Sequence, residues 1–305
     1  MQLEPASCAN CGVDNCTPIA VGYDFEYDTT NEEFLAVECR KCKLVYLNPR
    51  PTAASLSAAY PDTYHAFQFD ESSFGFVYRV RQWLESRRLL KWCKGLSPNA
   101  KILDIRCGDG FHIDLLRRYG KSSWTVEGID SESRAHSAAN RRGITIHCGL
   151  VEELPLEPNS YDLIMTIEHL SDPLSCVKRA AELLRLGGKL VIVTDNTSSP
   201  DFRIFGNRHW GGYHFPRHLY LFNKQNLAAL CQKAGLHTIS VRTAVSPVNW
   251  TYSMRNWIQD WRGPMWLRNQ FSLHSPIALG IFTMLDSPLS WMEHGAILHG
   301  IFEKK

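Results

Sequence analysis

The sequence has no long apolar run and no large excess of charge of either sign. Its 305 residues contain no apolar stretch that reaches the roughly 18 residues of a membrane-spanning helix. Lysine and arginine total 33 against 31 aspartate and glutamate, so the net charge of +2 gives no argument for nucleic-acid binding. The start, MQLEPASCAN, has no basic region followed by an apolar one, so we expect a cytoplasmic protein without a secretory signal.

Internal repeats and low-complexity tracts are also absent from the sequence, whose 44% hydrophobic and 21% charged residues exclude global disorder. The composition instead changes along the chain and predicts five zones. These are a small cysteine-rich ribbon over 1–50, a helical linker or lid over 51–95, a core over 96–245, a helical insertion over 246–295 and a last core strand over 296–305.

The core zone predicts an α/β fold, in which helices flank a mostly parallel sheet. Short apolar runs alternate with amphipathic stretches, a pattern typical of βαβ units. One stretch, DPLSCVKRAAELLRLGG, has Asp-Pro at its start and glycine at its end, where helix caps belong. Strands are predicted at 101–105, 124–129, 144–147, 161–167, 189–194, 237–242 and 296–302, and helices at 111–120, 172–188 and 223–235.

Two CxxC pairs in the first zone predict a structural zinc site. Cys8 and Cys11 form one pair, and Cys39 and Cys42 form the other after 27 intervening residues. Each pair can place two thiolates on one metal ion, and four thiolates complete a closed tetrahedral site. The alternatives are free thiols or two disulfides, and disulfides fit a reducing cytosol badly.

The stretch ILDIRCGDG, residues 102–110, predicts a strand, a glycine-containing turn and the start of a helix. Asp130 ends the next predicted strand, where a carboxylate can accept hydrogen bonds from both hydroxyls of a ribose. These features suit NAD or S-adenosylmethionine. The NAD fingerprint GxGxxG is absent, and Asp104 would repel a phosphate but can bind a cationic amino group, so S-adenosylmethionine is favoured.

At these motifs the chain resembles class I S-adenosylmethionine-dependent methyltransferases, in particular the branch with an N-terminal zinc ribbon. The resemblance covers nearly the whole chain, from CxxCKLVYLNPRP through LDIRCGDG, EGID, EELPLEPNSYDLIMTIEHLSDP and LLRLGGKLVIVTDN to HWGGYHFPRHLYLFNKQNLAALCQKAGL. It implies a Rossmann-like sheet and methyl transfer to a hydroxyl, amine or carbon of a small-molecule acceptor, such as a sugar or a lipid-linked metabolite. It assigns cofactor contacts to Asp104, Cys107, Gly108, Gly110, Asp130, Val151, Glu152 and Thr166.

Arg106 departs from the family pattern, because the cofactor loop usually has its first glycine there. If that backbone needs a positive φ, an arginine costs roughly 1–2 kcal/mol. Its side chain can crowd the cofactor carboxylate, pair with it or point away. We expect it to be tolerated as a cofactor-binding residue, and the alternative is a degenerate fold that acts as a non-catalytic binding or scaffold module.

Two histidines are candidate general bases for the acceptor. His169 follows the strand 161–167 at the edge where α/β sheets bind ligands, although Glu168 and His169 can also simply hold that loop. His218 ends the cluster HWGGYHFPRH, whose aromatic residues and glycines suit a lid. Arg217 can bind a carboxylate or phosphate, or 216–218 can fix the approach to the next helix.

Basic and aromatic residues alternate over 76–94, and five of the nine tryptophans lie within 250–291. Such segments can lie on an anionic membrane surface as a peripheral contact. They can also pack together as a lid over the acceptor, which we favour because the longest apolar run, 276–285, is short and ends at Asp286.

Overall fold

The cysteine-rich N-terminal part forms short antiparallel strands in the computed structural model, which describes residues 1–67, 69–167 and 171–305. The second, third and fourth strands pair in one sheet, and the first strand pairs with the fifth. The strands are β1 (Leu3–Glu4), β2 (Cys16–Gly22), β3 (Phe34–Cys39), β4 (Val45–Leu47) and β5 (Arg50–Pro51).

Helix α1 (Ala53–Leu56) and two 3-10 turns, Ser57–Ala59 and His65–Phe67, lead to the long helix α2 (Glu71–Trp92). The Asp70 carboxylate accepts a hydrogen bond from the Ser73 amide and caps the start of α2. Most residues of 51–95 are therefore helical.

The core consists of strands and helices that alternate along the chain. Its strands are β6 (Lys101–Ile105), β7 (Thr125–Asp130), β8 (His147–Cys148), β9 (Tyr161–Ile167), β10 (Leu184–Asp195), β11 (Tyr220–Leu221), β12 (Leu236–Ala244) and β13 (Ile297–Lys304). Its helices are α3 (Phe111–Tyr119), α4 (Ser133–Arg141), α5 (Pro173–Leu183), α6 (Pro200–Phe205), α7 (Lys224–Lys233), α8 (Pro247–Asp260), α9 (Met265–Gln270) and α10 (Pro276–Trp291).

Seven of these strands form one sheet in the order β8-β7-β6-β9-β10-β13-β12. The pairs from β8 to β10 are parallel, and β13 runs antiparallel to both β10 and β12. Side chains alternate between the two faces, so Ile102 packs into one apolar cluster and Leu103 into the other. Residues of α2, α3 and α4 cover the first face, and residues of α5 and α7 cover the second. The predicted mostly parallel sheet flanked by helices is confirmed.

Two predicted boundaries in the core were wrong. The run 144–147 yields only the two-residue strand β8, because the chain turns at Gly143, which has a φ of +70°. The helix predicted to reach residue 188 ends at Leu183, and β10 begins at Leu184. The register of β10 then shifts between Leu184 and Lys189, around the left-handed Gly187.

The N-terminal strands are joined to the core. Strand β11 adds to the edge of β4, so a core segment completes the sheet of β2, β3 and β4. The Phe34 ring stacks on Phe215, with 6.4 Å between ring centroids. Arg217 forms a fully buried ion pair with Asp24, 2.7 Å from nitrogen to oxygen. The ribbon therefore supports the segment that contains His218.

Helices α8, α9 and α10 occupy the zone 246–295, before the last strand β13. None of the helices in the described ranges is long and apolar enough to cross a bilayer.

Candidate active site

The loop between β6 and α3, residues 106–110, holds three backbones in the left-handed region. Arg106, Gly108 and Gly110 have φ values of +61°, +56° and +77°. This conformation is open to glycine and strained for arginine, so Arg106 carries the backbone cost that its position predicts. The loop is called the cofactor loop below.

Asp130 connects the cofactor loop to the end of β7. One carboxylate oxygen accepts a hydrogen bond from the Gly108 amide, and the other accepts one from the Glu132 amide, each at 3.0 Å. Every carboxylate oxygen has a second lone pair, so Asp130 can still accept hydrogen bonds from two ribose hydroxyls. Asp130 thus orients the loop and offers acceptors to a ligand on it.

Two buried polar atoms beside the loop have no hydrogen-bond partner among the described residues. They are Oδ2 of Asp104 and Oγ1 of Thr166, which lies opposite Ile105 in the pairing of β6 with β9. Burial raises the pKa of Asp104, and His112 Nδ1 lies 3.7 Å from its Oδ2. An ammonium group would satisfy the Asp104 carboxylate, so this donor and acceptor set fits the amino end of S-adenosylmethionine.

The remaining predicted cofactor residues surround the same loop. The Cys107 thiol is buried, and burial raises its pKa well above the ordinary value, so it is an unreactive packing group. Val151 is buried just after β8, and burial also raises the pKa of its neighbour Glu152. His112, on the first turn of α3, was missed from the sequence because a single histidine in a helix gives no pattern.

The Arg106 side chain does not point away from the loop. Its guanidinium donates a hydrogen bond to the Ser131 hydroxyl, one residue after Asp130. Burial alone would lower the pKa of Arg106, but the charges of Asp130, Glu132 and neighbouring tyrosines together outweigh burial and raise it. The positively charged Arg106 side chain therefore lies near Asp130, the carboxylate that we expect to bind the ribose.

The space over the cofactor loop is small. A cavity of about 90 Å³, the cofactor cavity, is lined by residues that include Tyr64, Asp104, Arg106 and His112. Ligand sites usually measure about 300–1,000 Å³. The turn 65–67 closes the cavity, because the Ala66 carbonyl accepts a hydrogen bond of 3.1 Å from the Asp109 amide. A whole cofactor needs this turn, the Arg106 side chain or both to move.

A second cavity of about 530 Å³, the acceptor cavity, lies between α2, α8, α10 and the ends of the central strands. Apolar residues of α2 and α10 line its outer part, and polar residues line its inner end. Helix α2 also contributes the charged residues Arg81, Glu85 and Arg88 to the lining. The apolar lining includes Phe76, Val77, Val80, Leu84, Pro276 and Leu279, and the polar lining includes His65, Asp195, His214, His218 and Asn249.

His218 and Asp195 form a pair at the polar end. His218 Nδ1 donates a hydrogen bond of 2.8 Å to the Gly212 carbonyl, and Asp195 Oδ2 lies 2.9 Å from the same nitrogen. Since both neighbours are acceptors, Nδ1 carries the proton and Nε2 carries the lone pair in the neutral ring. Asn249 donates a hydrogen bond of 2.6 Å to Asp195 Oδ1 and orients the carboxylate.

Sequence reasoning missed Asp195 and Asn249. Asp195 had a usable signal, because it ends a buried strand whose carboxyl end meets the ligand crevice. Asn249 had no such signal, because it lies 54 positions after Asp195 and the two meet only in the folded protein.

The two other histidines at this end of the acceptor cavity are neutral. Burial lowers the pKa of His65 and of His214 well below the ordinary value. His65 Nδ1 lies 2.8 Å from the Tyr27 hydroxyl, and His214 Nδ1 lies 2.6 Å from Glu26 Oε2. Burial raises the pKa of Glu26 to about 8. The two buried histidines therefore add no positive charge to the polar end, where Asp195 supplies a carboxylate.

The suggested role of Arg217 as an anion anchor was wrong. Its side chain is fully buried, pairs with Asp24 through two nitrogens and donates hydrogen bonds to the carbonyls of Ala59 and Phe215. It supports the wall behind His218. His169, the other predicted base, lies outside the described residues.

The four predicted metal ligands come together. The Sγ atoms of Cys8, Cys11, Cys39 and Cys42 all lie within 4.8 Å of one another, and all four cysteines are free. A tetrahedral zinc site with Zn–S bonds of about 2.3 Å separates its sulfurs by about 3.8 Å. The donor set and its spacing fit zinc.

Comparisons with known proteins agree with this geometry. A model of the methyltransferase domain family matches residues 77–241, more than half of the chain. The ubiquinone biosynthesis O-methyltransferase of Paracidovorax citrulli (strain AAC00-1) is 30% identical over 173 residues, which are 50% of this chain and 71% of that protein.

Solved structures share the fold at low identity. Phosphoethanolamine N-methyltransferase 2 of Haemonchus contortus, in complex with S-adenosyl-L-methionine, has a TM-score of 0.53 at 19% identity, over 95% of this chain and 68% of that one. Geranyl diphosphate C-methyltransferase from Streptomyces coelicolor A3(2) has a TM-score of 0.50 at 13% identity, over 75% and 77%. The family match, the sheet order and the cofactor loop lead to one conclusion: the chain belongs to the methyltransferase domain family and is a class I S-adenosylmethionine-dependent methyltransferase.

Proposed function

We propose that this enzyme methylates a hydroxyl group of an amphiphilic small molecule. The observation that carries the proposal is the acceptor cavity, which is apolar along α2 and α10 and polar at the His218–Asp195 pair. Its volume of about 530 Å³ lies within the range of small-molecule sites. Of the acceptors expected from the sequence, a lipid-linked metabolite suits this lining better than a sugar.

Two further observations support a hydroxyl rather than an amine or a carbon. The P. citrulli relative is by its name an O-methyltransferase that acts in ubiquinone biosynthesis. Burial keeps His65 and His214 neutral, so these two side chains offer hydrogen bonds beside the Asp195 carboxylate without adding a positive charge next to the acceptor.

His218 is the general base in this proposal. When bound, S-adenosylmethionine supplies an electrophilic methyl group on a positively charged sulfur. His218 Nε2 takes the proton of the acceptor hydroxyl, which makes the acceptor oxygen nucleophilic. Asp195, 2.9 Å from Nδ1, stabilises the imidazolium that results. The apolar walls exclude water and align the acceptor, and alignment supplies much of the rate in such transfers.

The cofactor loop would hold the cofactor through three groups. Asp104 would bind the amino group, Asp130 the ribose hydroxyls, and Val151 with Glu152 the adenine side. Each is buried or half-buried at the carboxyl edge of the sheet, as this chemistry requires.

Methyl transfer from cofactor with a labelled methyl group tests the proposal. The acceptors are a phenol with a long alkyl chain, the same phenol without the chain, and the matching long-chain aniline. We expect a methyl ether as product and a higher kcat/KM for the long-chain phenol. Methylation of the aniline without methylation of either phenol would contradict a hydroxyl acceptor.

We also propose that Cys8, Cys11, Cys39 and Cys42 hold a structural zinc ion, as in the zinc-ribbon branch of the family. Elemental analysis of freshly prepared, reduced protein should find one zinc per chain, and Cys39→Ser should lose it. Cys231→Ser is the matched control, since that buried thiol lies outside the cluster. Reduced protein without zinc would refute the site.

A further inference from the structure

Large apolar side chains are exposed at the end of α8 and on α9 and α10. Trp261, Trp266, Ile277, Ile281 and Met284 have exposed fractions of 68%, 67%, 72%, 52% and 72%. These five side chains are called the docking face below. Within the described part of the chain, α9 buries no residue. A group of large exposed apolar side chains of this kind indicates an interaction surface.

The segment that carries the docking face has charge of one sign. Residues 261–285 contain Arg262 and Arg268 but no aspartate or glutamate. The two carboxylates that flank the segment are engaged elsewhere. Asp260 Oδ2 lies 2.8 Å from His209, and the buried Asp286 accepts a hydrogen bond of 2.8 Å from the Ser246 amide. The segment therefore complements a negatively charged surface.

Helix α10 has the docking face on one side and the acceptor cavity on the other. Ile277, Ile281 and Met284 recur at helical spacing on the outside, while Leu279 and Thr283 line the cavity. On the opposite wall Phe76, in α2, lines the cavity and is also 63% exposed. The cavity therefore opens between α2 and α10, beside the docking face.

Tryptophan and arginine together are typical of the boundary between headgroups and acyl chains, where an apolar ring and a charged group both find partners. No helix of the described chain can span a bilayer, so the geometry suits a protein that lies on one.

We propose that the docking face binds the surface of an anionic phospholipid bilayer, so that the mouth of the acceptor cavity faces the acyl chains. The idea that an amphiphilic acceptor enters this mouth from the membrane rests on the proposed function. The proposed binding of the docking face to the bilayer does not depend on that function. The sequence suggested that 250–291 forms either a lid over the acceptor or a membrane contact. Both apply in this proposal, since α10 covers the cavity with one side and contacts lipid with the other.

Vesicle flotation of the full chain tests the binding. The vesicles are phosphatidylcholine alone and phosphatidylcholine mixed with phosphatidylglycerol. We expect binding to the mixed vesicles, weaker binding to the neutral ones, and a decrease as salt is added. Absence of binding to mixed vesicles would overturn the proposal.

The variant Ile277→Ser/Met284→Ser should weaken binding to mixed vesicles by roughly tenfold or more, because two side chains no longer enter the apolar layer. The matched control is Ile204→Ser on α6, which removes an isoleucine of similar exposure, 63%, away from the docking face. The control should bind like the wild type. Equal binding by wild type and the double variant would overturn the assignment to this face.

Two further measurements separate the other outcomes. Light scattering of the free protein shows whether a second copy covers the face: a dimer that the double variant abolishes, without vesicle binding, would overturn the proposal. Methyl transfer by the double variant should fall on a vesicle-embedded acceptor and persist on a short-chain acceptor in solution. If wild type binds vesicles but methylates neither acceptor, the proposed function fails and the docking stands.

Discussion

The two cavities of this enzyme differ in how complete they are. The acceptor cavity is open and large, and its hydrogen-bonding groups are already oriented by Gly212, Asp195 and Asn249. The cofactor cavity is about 90 Å³, and Arg106 and the turn 65–67 occupy the space beside its carboxylates. The proposed catalytic pair, His218 and Asp195, is therefore already oriented, while the cofactor loop must exchange contacts within the protein for contacts with the ligand.

The difference follows from what each cavity needs to stay open. Apolar side chains need no hydrogen-bond partner, so they can line an open cavity, although the apolar surface that they leave unburied lowers the stability. Buried carboxylates are different, since each needs a positive or hydrogen-bonding partner. Without cofactor, the Arg106 charge and the amides of Gly108 and Glu132 stabilise the Asp130 carboxylate. We expect the ribose hydroxyls to supply further hydrogen bonds when the cofactor binds.

The largest expected effect separates the two cavities by function. His218→Gln removes the base but no cofactor contact, so kcat should fall by roughly 10²–10⁴-fold while affinity for S-adenosylhomocysteine stays unchanged. Steady-state kinetics and calorimetry measure the two quantities. His209→Gln is the control, because His209 pairs with Asp260 and does not line the acceptor cavity. Full activity of His218→Gln would show that His218 is not the general base.

The next effect concerns the cofactor cavity alone. Asp130→Asn removes the charge that we expect the ribose hydroxyls to use, so affinity for S-adenosylhomocysteine should fall by about 10- to 150-fold. Asp162→Asn is the matched control, since Asp162 is also a buried carboxylate that accepts a backbone hydrogen bond, from Lys101 at the start of β6. Unchanged calorimetric affinity in Asp130→Asn would refute the ribose assignment.

A third prediction concerns the wall behind the acceptor cavity. Burial would raise the pKa of Asp24, but the hydrogen bonds and charge of Arg217, together with two hydrogen bonds from Thr29, outweigh burial and lower it from 3.8 to about 2. The charged Asp24 and these partners therefore stabilise the fold fully above pH 3.8, and this contribution, about 2 kcal/mol, is lost as the pH falls through about 2.

Chemical unfolding at a series of acid pH values measures this loss. Asp24→Asn cannot titrate at this position, so its free energy of unfolding should depend less on pH below 3.8 than that of the wild type. Equal pH dependence in both proteins would mean that Asp24 does not carry the effect.

The smallest effect is expected for Arg106→Gly. The guanidinium is hydrogen-bonded to Ser131 and occupies space beside Asp130, so its removal should tighten binding of S-adenosylhomocysteine by up to about tenfold. Arg262→Gly is the control for the backbone, because Arg262 also has a positive φ, +57°, far along the chain from the cofactor loop. Weaker binding by Arg106→Gly would instead show that Arg106 pairs with the cofactor carboxylate. If Arg106→Gly binds S-adenosylhomocysteine and the wild type does not, the chain is instead a degenerate fold that acts as a non-catalytic scaffold.

Features encoded by short-range pattern could be predicted from the sequence. Strands 101–105 and 161–167 have the predicted bounds, because they are buried apolar runs between clear breaks. The cysteine cluster followed from spacing alone, since each CxxC pair fixes two thiols locally. The left-handed backbone at Arg106 followed from the loop pattern.

Features that depend on distant segments could not be predicted in this way. The Asp24–Arg217 pair joins residues 193 positions apart, and the Asn249–Asp195 hydrogen bond joins residues 54 positions apart. Nothing in the local sequence of Arg217 distinguishes a buried structural arginine from one that binds a ligand. The acceptor cavity likewise exists only because α2 and α10 meet over the sheet.

The pairing of β11 with β4 has a practical consequence for dissecting this protein. A shortened chain that starts at residue 51 would leave β11 with an unpaired edge and the Arg217 guanidinium buried without its carboxylate. Breaking such a buried pair from one side costs about 3–5 kcal/mol, a large part of the stability of an ordinary domain. The N-terminal fifty residues therefore support the core directly, and damage to their cysteines should also disturb His218, the proposed general base, one residue beyond Arg217.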